Sequence, residues 1–177
     1  MNRISHFSAN EIRSLSTLLG DLRPISLLEV AAILGAGCVG GAFFAFSSFV
    51  MPALEKLDGA SGMLAMKEIN ATVLSSSFLL VLMGTGLLML ALLYFEPSLK
   101  GASGKLIFAA CMIYLIGTIS VTTLINVPLN VRLQDFQDGD VVRWKSYVRD
   151  WTKWNSIRGL AATSSSAMLV LAIVLRK

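Results

Sequence analysis

The chain has 177 residues, 55% of them hydrophobic and 15% charged, with a formal net charge of +4. A soluble domain carries about 25% charged residues, so an ordinary water-soluble globule is excluded, and the apolar content excludes a disordered chain. The length fits one domain, and the small positive excess suits anionic lipid headgroups and calls for no nucleic acid.

Residues 1–24 read as an interfacial segment that precedes the bundle. Ile4, Phe7, Ile12, Leu15, Leu18, Leu19 and Leu22 recur at roughly helical spacing, with Arg3, Arg13 and Arg23 at other positions. That pattern predicts an amphipathic helix lying on a membrane surface. It is not the pattern of a signal peptide, because the apolar run that follows starts late and is too long for an h-region. His6, the one histidine of the sequence, falls here. Histidine-pair haem ligation and histidine-cluster metal sites are therefore not expected, and no cofactor is.

Four apolar runs then follow in residues 25–177. They are Leu27–Val50 (broken by Glu29), Val73–Phe95, Leu106–Ile125 and Gly159–Leu175. A bilayer core needs about 20 such residues, with a range of about 17–25. The runs are continuous rather than alternating, so they predict helices and not barrel strands. The expected fold is an all-α integral membrane four-helix bundle.

Along the first run, Ala32, Ala36 and Gly40 lie four apart, as do Gly37 and Gly41. Such stripes let helices approach closely in lipid, within one bundle or in a homo-oligomer. Glu29 reads as an interfacial carboxylate at a helix N-terminus, or as a relay residue facing the bundle. Cys38 and Cys111 read as packing residues. Asp58-Gly59 breaks the chain, and from Ser61 nothing stops a helix until Glu96-Pro97. The second helix is therefore expected to run unbroken beyond the bilayer.

The third run ends in Asn126-Val127-Pro128-Leu129-Asn130, where Pro128 is expected to turn the chain and point both amides into the bundle mouth. Asp138-Gly139-Asp140 is a turn and cap signal. Val141, Trp144, Tyr147, Val148, Trp151, Trp154 and Asn155 follow on one helical face, running into the fourth span through Trp151-x-x-Trp154-Asn155-x-x-Arg158. Helices two and four should thus overshoot the bilayer on one side. The terminal side carries seven Lys and Arg and the projecting side eight, which makes the positive-inside rule nearly silent. The orientation adopted places both termini in the cytoplasm.

Polar residues inside spans are costly, so their placement is informative. Ser47 and Ser48, Ser75 to Ser77, Thr122 and Thr123, and Thr163 to Ser166 all map to the projecting half, as do Asn70, Asn126, Asn130, Arg132, Asn155 and Arg158. A polar cavity opening on that side is expected.

At these residues the chain resembles the anthrone oxygenase-like integral membrane family. The likeness runs from about Leu27 to the C-terminus. It rests on Phe43-Phe44-Ala45-Phe46-Ser47, Val50-Met51-Pro52-Ala53-Leu54, the Asn70 region, the double-Asn motif around Pro128 and the Trp151–Arg158 motif. Fungal relatives of that kind oxidise an anthrone to an anthraquinone with molecular oxygen, and the anthrone anion is electron-rich enough to react with oxygen without metal or flavin. The resemblance implies Asn126, Asn130, Asn155 and Arg158 as groups acting on the substrate's oxygens. It implies Trp151, Trp154, Asn70 and Phe46 as contacts to a flat hydrophobic molecule. Glu68, Asp135 and Asp150 are candidate bases. A lipid- or quinone-binding protein without enzymatic activity, an accessory subunit of a membrane complex and a small transporter are the competing classes.

Overall fold

The computed structural model describes residues 24–95 and 101–176. The predicted amphipathic segment lies outside these residues. Within them the chain is helical throughout, with turns between helices. Helix α1 (Pro24–Ala45) continues through a π-helical stretch, Phe46–Val50, into α2 (Met51–Lys56). α3 (Gly59–Val73) and α4 (Ser77–Phe95) follow. α5 (Ala102–Ile113) passes through π stretches Tyr114–Ser120 and Thr122–Asn126 into α6 (Val127–Gln134), and α7 (Val141–Val174) completes the fold. Four helical rods, Leu27–Lys56, Ser77–Phe95, Ala102–Gln134 and Val141–Val174, are long and apolar enough to cross a membrane. The protein is an integral membrane bundle.

Two expectations about helix continuity are corrected. The second helix is not unbroken: it turns at Leu74–Ser76, between α3 and α4. The Ser75 and Ser76 hydroxyls donate to the carbonyls of Thr72 and Val73, and the N–H groups of residues 74–76 reach back three residues. Serine side chains here compete with the helical ladder and tighten it until it ends. Pro128, by contrast, does not turn the chain. A proline removes one N–H and crowds the carbonyl four residues back. The widened π turn Thr122–Asn126 lies just before it, and Phe46–Val50 lies just before Pro52 in the same way. Both rods absorb their proline by a π turn and continue for another turn or two.

Two apolar cores result. The membrane-half core gathers Ala32, Ala36, Val39, Phe43, Met89, Leu92, Ile107, Tyr114 and Leu169. The projecting-end core gathers Met51, Met63, Met66, Leu133, Trp144, Tyr147, Val148 and Trp151. α7, at 34 residues and roughly 51 Å, belongs to both. The terminal end is fixed by Ser103, which donates to the Ala172 carbonyl, and by Arg176, whose guanidinium grips both carboxylate oxygens of Glu29. Glu29 is buried to 1% exposure. It is half of an ion pair that ties α1 to the end of α7.

The small-residue stripe on α1 divides in two. Ala32 and Ala36 are fully buried, and a Cβ on Gly40 would sit 2.4 Å from Thr163 Oγ1 and 3.2 Å from its backbone nitrogen. Gly41 has nothing within 4 Å of that position. Gly40→Ala is therefore expected to force α1 from α7 and cost about 1–3 kcal/mol. Gly41→Ala should stabilise by about 0.5–1 kcal/mol through helix propensity. Thermal unfolding in detergent micelles reads both, and equal effects at the two sites would refute the assignment of faces.

At the projecting end the caps are short-range. Asp58 accepts a hydrogen bond from the Ser61 N–H at the start of α3. Asp140 stands at the N-cap position of α7, yet its carboxylate accepts from Gln137 N–H and the Arg143 side chain rather than from the first backbone N–H groups of that helix. Lys67 donates to the carbonyls of Gln134 and Phe136, closing the end of α6. The Ser61 side chain and N–H hold the Asp58 carboxyl below the usual carboxylate range, and the Gln137 N–H followed by Arg143 does the same for Asp140. Lowered folded-state values mean that this contribution is complete above about pH 4 and is lost as pH falls through them. Asp58→Asn and Asp140→Asn should each flatten the acid side of a stability-against-pH curve. A curve of unchanged slope would contradict the role given to either carboxylate.

Candidate functional site

A polar layer separates the two cores. α7 contributes Asn155 and Arg158, both buried, one turn apart on the face turned toward α1 and the third rod. The Asn155 amide donates 2.7 Å to the Phe43 carbonyl and 2.7 Å to Ser47 Oγ. Arg158 donates through Nη2 to Asn155 Oδ1 at 2.7 Å and through Nη1 to Thr122 Oγ1 at 3.2 Å. Its guanidinium carbon lies 4.2 Å from the Phe43 ring centre and 5.4 Å from that of Trp151. Thr118 donates to the Arg158 carbonyl, and Thr122 donates to the Thr118 carbonyl. The two π stretches thus place Thr118, Thr122 and Asn126 in one row along the third rod facing α7.

Above this layer, Asn130 Oδ1 accepts from Tyr147 Oη at 3.0 Å and from Trp151 Nε1 at 2.9 Å. Asn126, at 1% exposure, reaches the Trp151 carbonyl with its amide at 3.4 Å. Asn70 comes to the same cluster from α3, beside the Tyr147 hydroxyl. Phe46 packs against Trp151 with ring centres 5.9 Å apart.

Seven of the eight residues singled out from the sequence therefore meet: Phe46, Asn70, Asn126, Asn130, Trp151, Asn155 and Arg158. Trp154 does not join them. It is half-buried, and the Lys153 ammonium lies 5.8 Å from its ring centre. Nor, among the described residues, do the polar groups surround an open cavity. They close on one another as a packed layer, and the surface is indented on either side of α7 instead. Phe43, Ser47, Thr122, Tyr147 and Ser156 complete the cluster without having been given roles. Ser47 and Thr122 carried a signal, as hydroxyls on the projecting half, and Tyr147 did so as part of the aromatic face.

The electrostatics are lopsided. Among the described residues the ion pairs are Arg143–Asp140, Arg149–Asp150 and Arg176–Glu29, and none involves Arg158. A cation buried without a carboxylate is costly. Hydrogen bonds and two ring faces offset part of that cost. Several polar atoms remain unpaired in the projecting half, among them Arg158 Nε, Asn126 Oδ1, Thr152 Oγ1 and Asn70 Nδ2. The layer can thus offer charge and N–H donors to an oxygen-bearing anion. Among the described residues no group of three or more His, Cys, Asp or Glu side chains could hold a metal ion.

A family model for anthrone oxygenases matches residues 66–168. That stretch contains Asn70, the double-Asn motif and the Trp151–Arg158 motif, but not Phe43 to Leu54. No curated protein and no solved structure matches the chain.

Proposed function

This chain belongs to the anthrone oxygenase family, and from that premise we propose that it binds a flat, hydrophobic aromatic molecule within the membrane and oxidises it with dioxygen, in the manner of anthrone to anthraquinone. The carbon between the two rings of an anthrone carries an acidic proton. Its anion is electron-rich enough to react with oxygen directly, so what the protein must supply is an apolar slot, a proton acceptor and stabilisation of negative charge. Arg158 is the observation that carries the reading: a buried guanidinium, flanked by aromatic rings and unmatched by any carboxylate among the described residues, suits an aromatic anion.

In this reading Arg158 and the amides of Asn126 and Asn130 receive the substrate's oxygens, Asn155, whose two N–H groups are taken by Phe43 and Ser47, holds the Arg158 guanidinium in place, and Phe46 and Trp151 give the substrate apolar faces. The oxygen of Asn130 is already occupied by Tyr147 and Trp151, so what it offers a ligand is its NH2 group. Oxygen uptake by the protein in lipid nanodiscs, supplied with an anthrone, tests the proposal. The wild type should consume oxygen and form the anthraquinone, and Asn130→Ala should do so about a hundredfold more slowly, the loss typical of one anion-stabilising donor. Equal rates in the two would remove Asn130 from the site. Binding of the anthrone without oxygen uptake would leave a ligand-binding protein in place of an oxygenase.

A further inference from the structure

The groups of the polar layer close on one another around a buried Arg158, so a ligand reaches that guanidinium only if helices part. The interruptions of the rods mark where they do. The first rod has its π stretch at Phe46–Val50, and Ser47 within it meets Asn155 and Ser156 of α7. The third rod has its second π stretch at Thr122–Asn126, where Thr122 accepts from Arg158 and Asn126 reaches the Trp151 carbonyl. The second rod turns at Leu74–Ser76. Phe78, just past that turn, stands edge-on to Phe43 with ring centres 5.6 Å apart, and the Phe43 carbonyl holds Asn155. Three rods are therefore interrupted at the level of Asn155 and Arg158. α7 alone passes that level unbroken. Widened and broken turns are where helices bend.

The contact beyond the interruptions is built to re-form. α2 and α3 bring Met51, Met63 and Met66 to it, and α7 brings Trp144, Tyr147 and Trp151. Methionine is unbranched and repacks against aromatic faces at little cost. The closed contact is also incompletely satisfied. Among the described residues, the buried side-chain polar atoms without a partner are Asn70 Nδ2, Asn126 Oδ1, Trp144 Nε1, Thr152 Oγ1 and Arg158 Nε. All five lie in the polar layer or beyond it. In the membrane half, by contrast, the Tyr114 and Ser165 hydroxyls each find a carbonyl. An unpaired buried polar group costs free energy that water or a ligand recovers, so closure is opposed at this end of the bundle.

We propose that α2, α3 and α6 form a jaw that swings away from α7 about these three joints, and that the opening admits a hydrophobic ligand to Arg158. The jaw moves as one piece. α2 leads into α3 through two residues, and Lys67 of α3 donates to the Gln134 and Phe136 carbonyls at the end of α6. α7 is the fixed post. The latch is Asn130, on the jaw, whose oxygen accepts from Tyr147 and Trp151, on the post. Opening breaks those two bonds and uncovers the Asn130 oxygen together with the Trp151 ring. The admission of a ligand rests on the reading that the polar layer binds one; the swing does not.

A reversible staple tests this. A Cβ on Gly59, the first residue of α3, would lie 3.9 Å from the Val141 Cβ, the first residue of α7, and disulfides need about 3.5–4.5 Å. Gly59→Cys with Val141→Cys is made in a Cys38→Ala, Cys111→Ala background and placed in nanodiscs. When reduced, amides 46–50, 74–76 and 122–126 should exchange hydrogen at least about tenfold faster than amides 151–158 of α7. Oxidation should slow the joints about tenfold or more, leave α7 unchanged, and be undone by reductant. Anthrone-dependent oxygen uptake should fall and recover in step. Joints as slow as α7 when reduced, or exchange that ignores the staple, overturns the jaw while the oxidation stands. Slowed joints with undiminished uptake overturn the entry route. If no form takes up oxygen, the oxidation reading fails, and quenching of tryptophan fluorescence by the anthrone decides entry: equal quenching in both forms overturns it. Should the double-cysteine protein not fold, spin labels at the exposed Leu64 and Lys145 positions replace it. Two distance populations are expected between them, and a single narrow one overturns the jaw.

Discussion

Replacing Arg158 by methionine is expected to lower anthrone-dependent oxygen uptake by at least about a hundredfold, yet leave the thermal midpoint at or above that of the wild type. Two effects compete in the stability. The variant strands the Asn155 oxygen, which accepts from Arg158 at 2.7 Å, and a buried acceptor left without its donor costs about 1–3 kcal/mol. It also removes an ion that is 5% exposed and has no carboxylate partner among the described residues, and the burial penalty of an ion is several kcal/mol. The second effect is the larger, and methionine fills most of the same volume between Phe43 and Trp151. Activity moves the other way. Loss of a preorganised charge aimed at a developing anion costs about 2.7–4 kcal/mol of transition-state stabilisation. A residue that weakens the fold and serves the chemistry shows this opposed pair of effects. Arg158→Lys retains charge but lacks the fork that reaches both Thr122 and Asn155, so its rate should fall between the two. A variant that loses several degrees of midpoint and keeps its rate would make Arg158 a structural cross-link.

The second large effect is at the opposite end. Arg176→Met should destabilise the bundle by about 3 kcal/mol, and Glu29→Gln by less. The pair is unequal: the Glu29 side chain is 1% exposed and that of Arg176 is 31% exposed. Removing one partner of a buried pair costs about 3–5 kcal/mol because the other charge is left without compensation. The lower figure applies here because the arginine is partly solvated already. A stranded arginine at the end of α7 can swing its long side chain toward headgroups or water, whereas a stranded Glu29 cannot leave the interior. Glu29→Met combined with Arg176→Met should return to within about 1 kcal/mol of the wild type, since an apolar replacement of a buried pair is often neutral. Unfolding in mixed micelles measures all four proteins. Glu29→Gln proving as harmful as Arg176→Met would defeat the asymmetry on which the prediction stands.

The fold was legible to different degrees in different places. Each span shows as an apolar run because a helix facing lipid needs no polar stripe, so hydropathy alone marks it. The ends were less legible. The first rod reaches Lys56 and the third reaches Gln134, both past a proline, and Pro128 had been expected to turn the chain. A proline ends a helix only if nothing upstream widens to receive it, and a π turn depends on packing that no dipeptide encodes. Ser75 and Ser76 acted in reverse. They were noted as polar groups, but hydroxyl donation to Thr72 and Val73 ended α3 in an otherwise helical pattern.

The candidate site divides in the same way. Alternation of helix direction sufficed to send Asn70, Asn126, Asn130, Asn155 and Arg158 to one end of the bundle. It did not say whether they would line a cavity or bond to one another. Spacing of three placed Trp151 and Trp154 on adjoining parts of a face, but such residues differ by about 60° around the axis. The position of α1 decided that Trp151 is enclosed with Phe46 and that Trp154 stays at the rim.

By itself, then, the sequence determined the solvent of this protein, the number of its spans and the end at which its polar groups collect. Those follow from transfer free energies and from the odd–even alternation of a chain crossing a bilayer. Only the tertiary structure decided which polar group meets which. Asn155 bonds to the Phe43 carbonyl across 112 positions, and Arg176 bonds to Glu29 across 147. A hydrogen bond in an apolar interior is strong only at one distance and angle, and that geometry is fixed by how the helices pack.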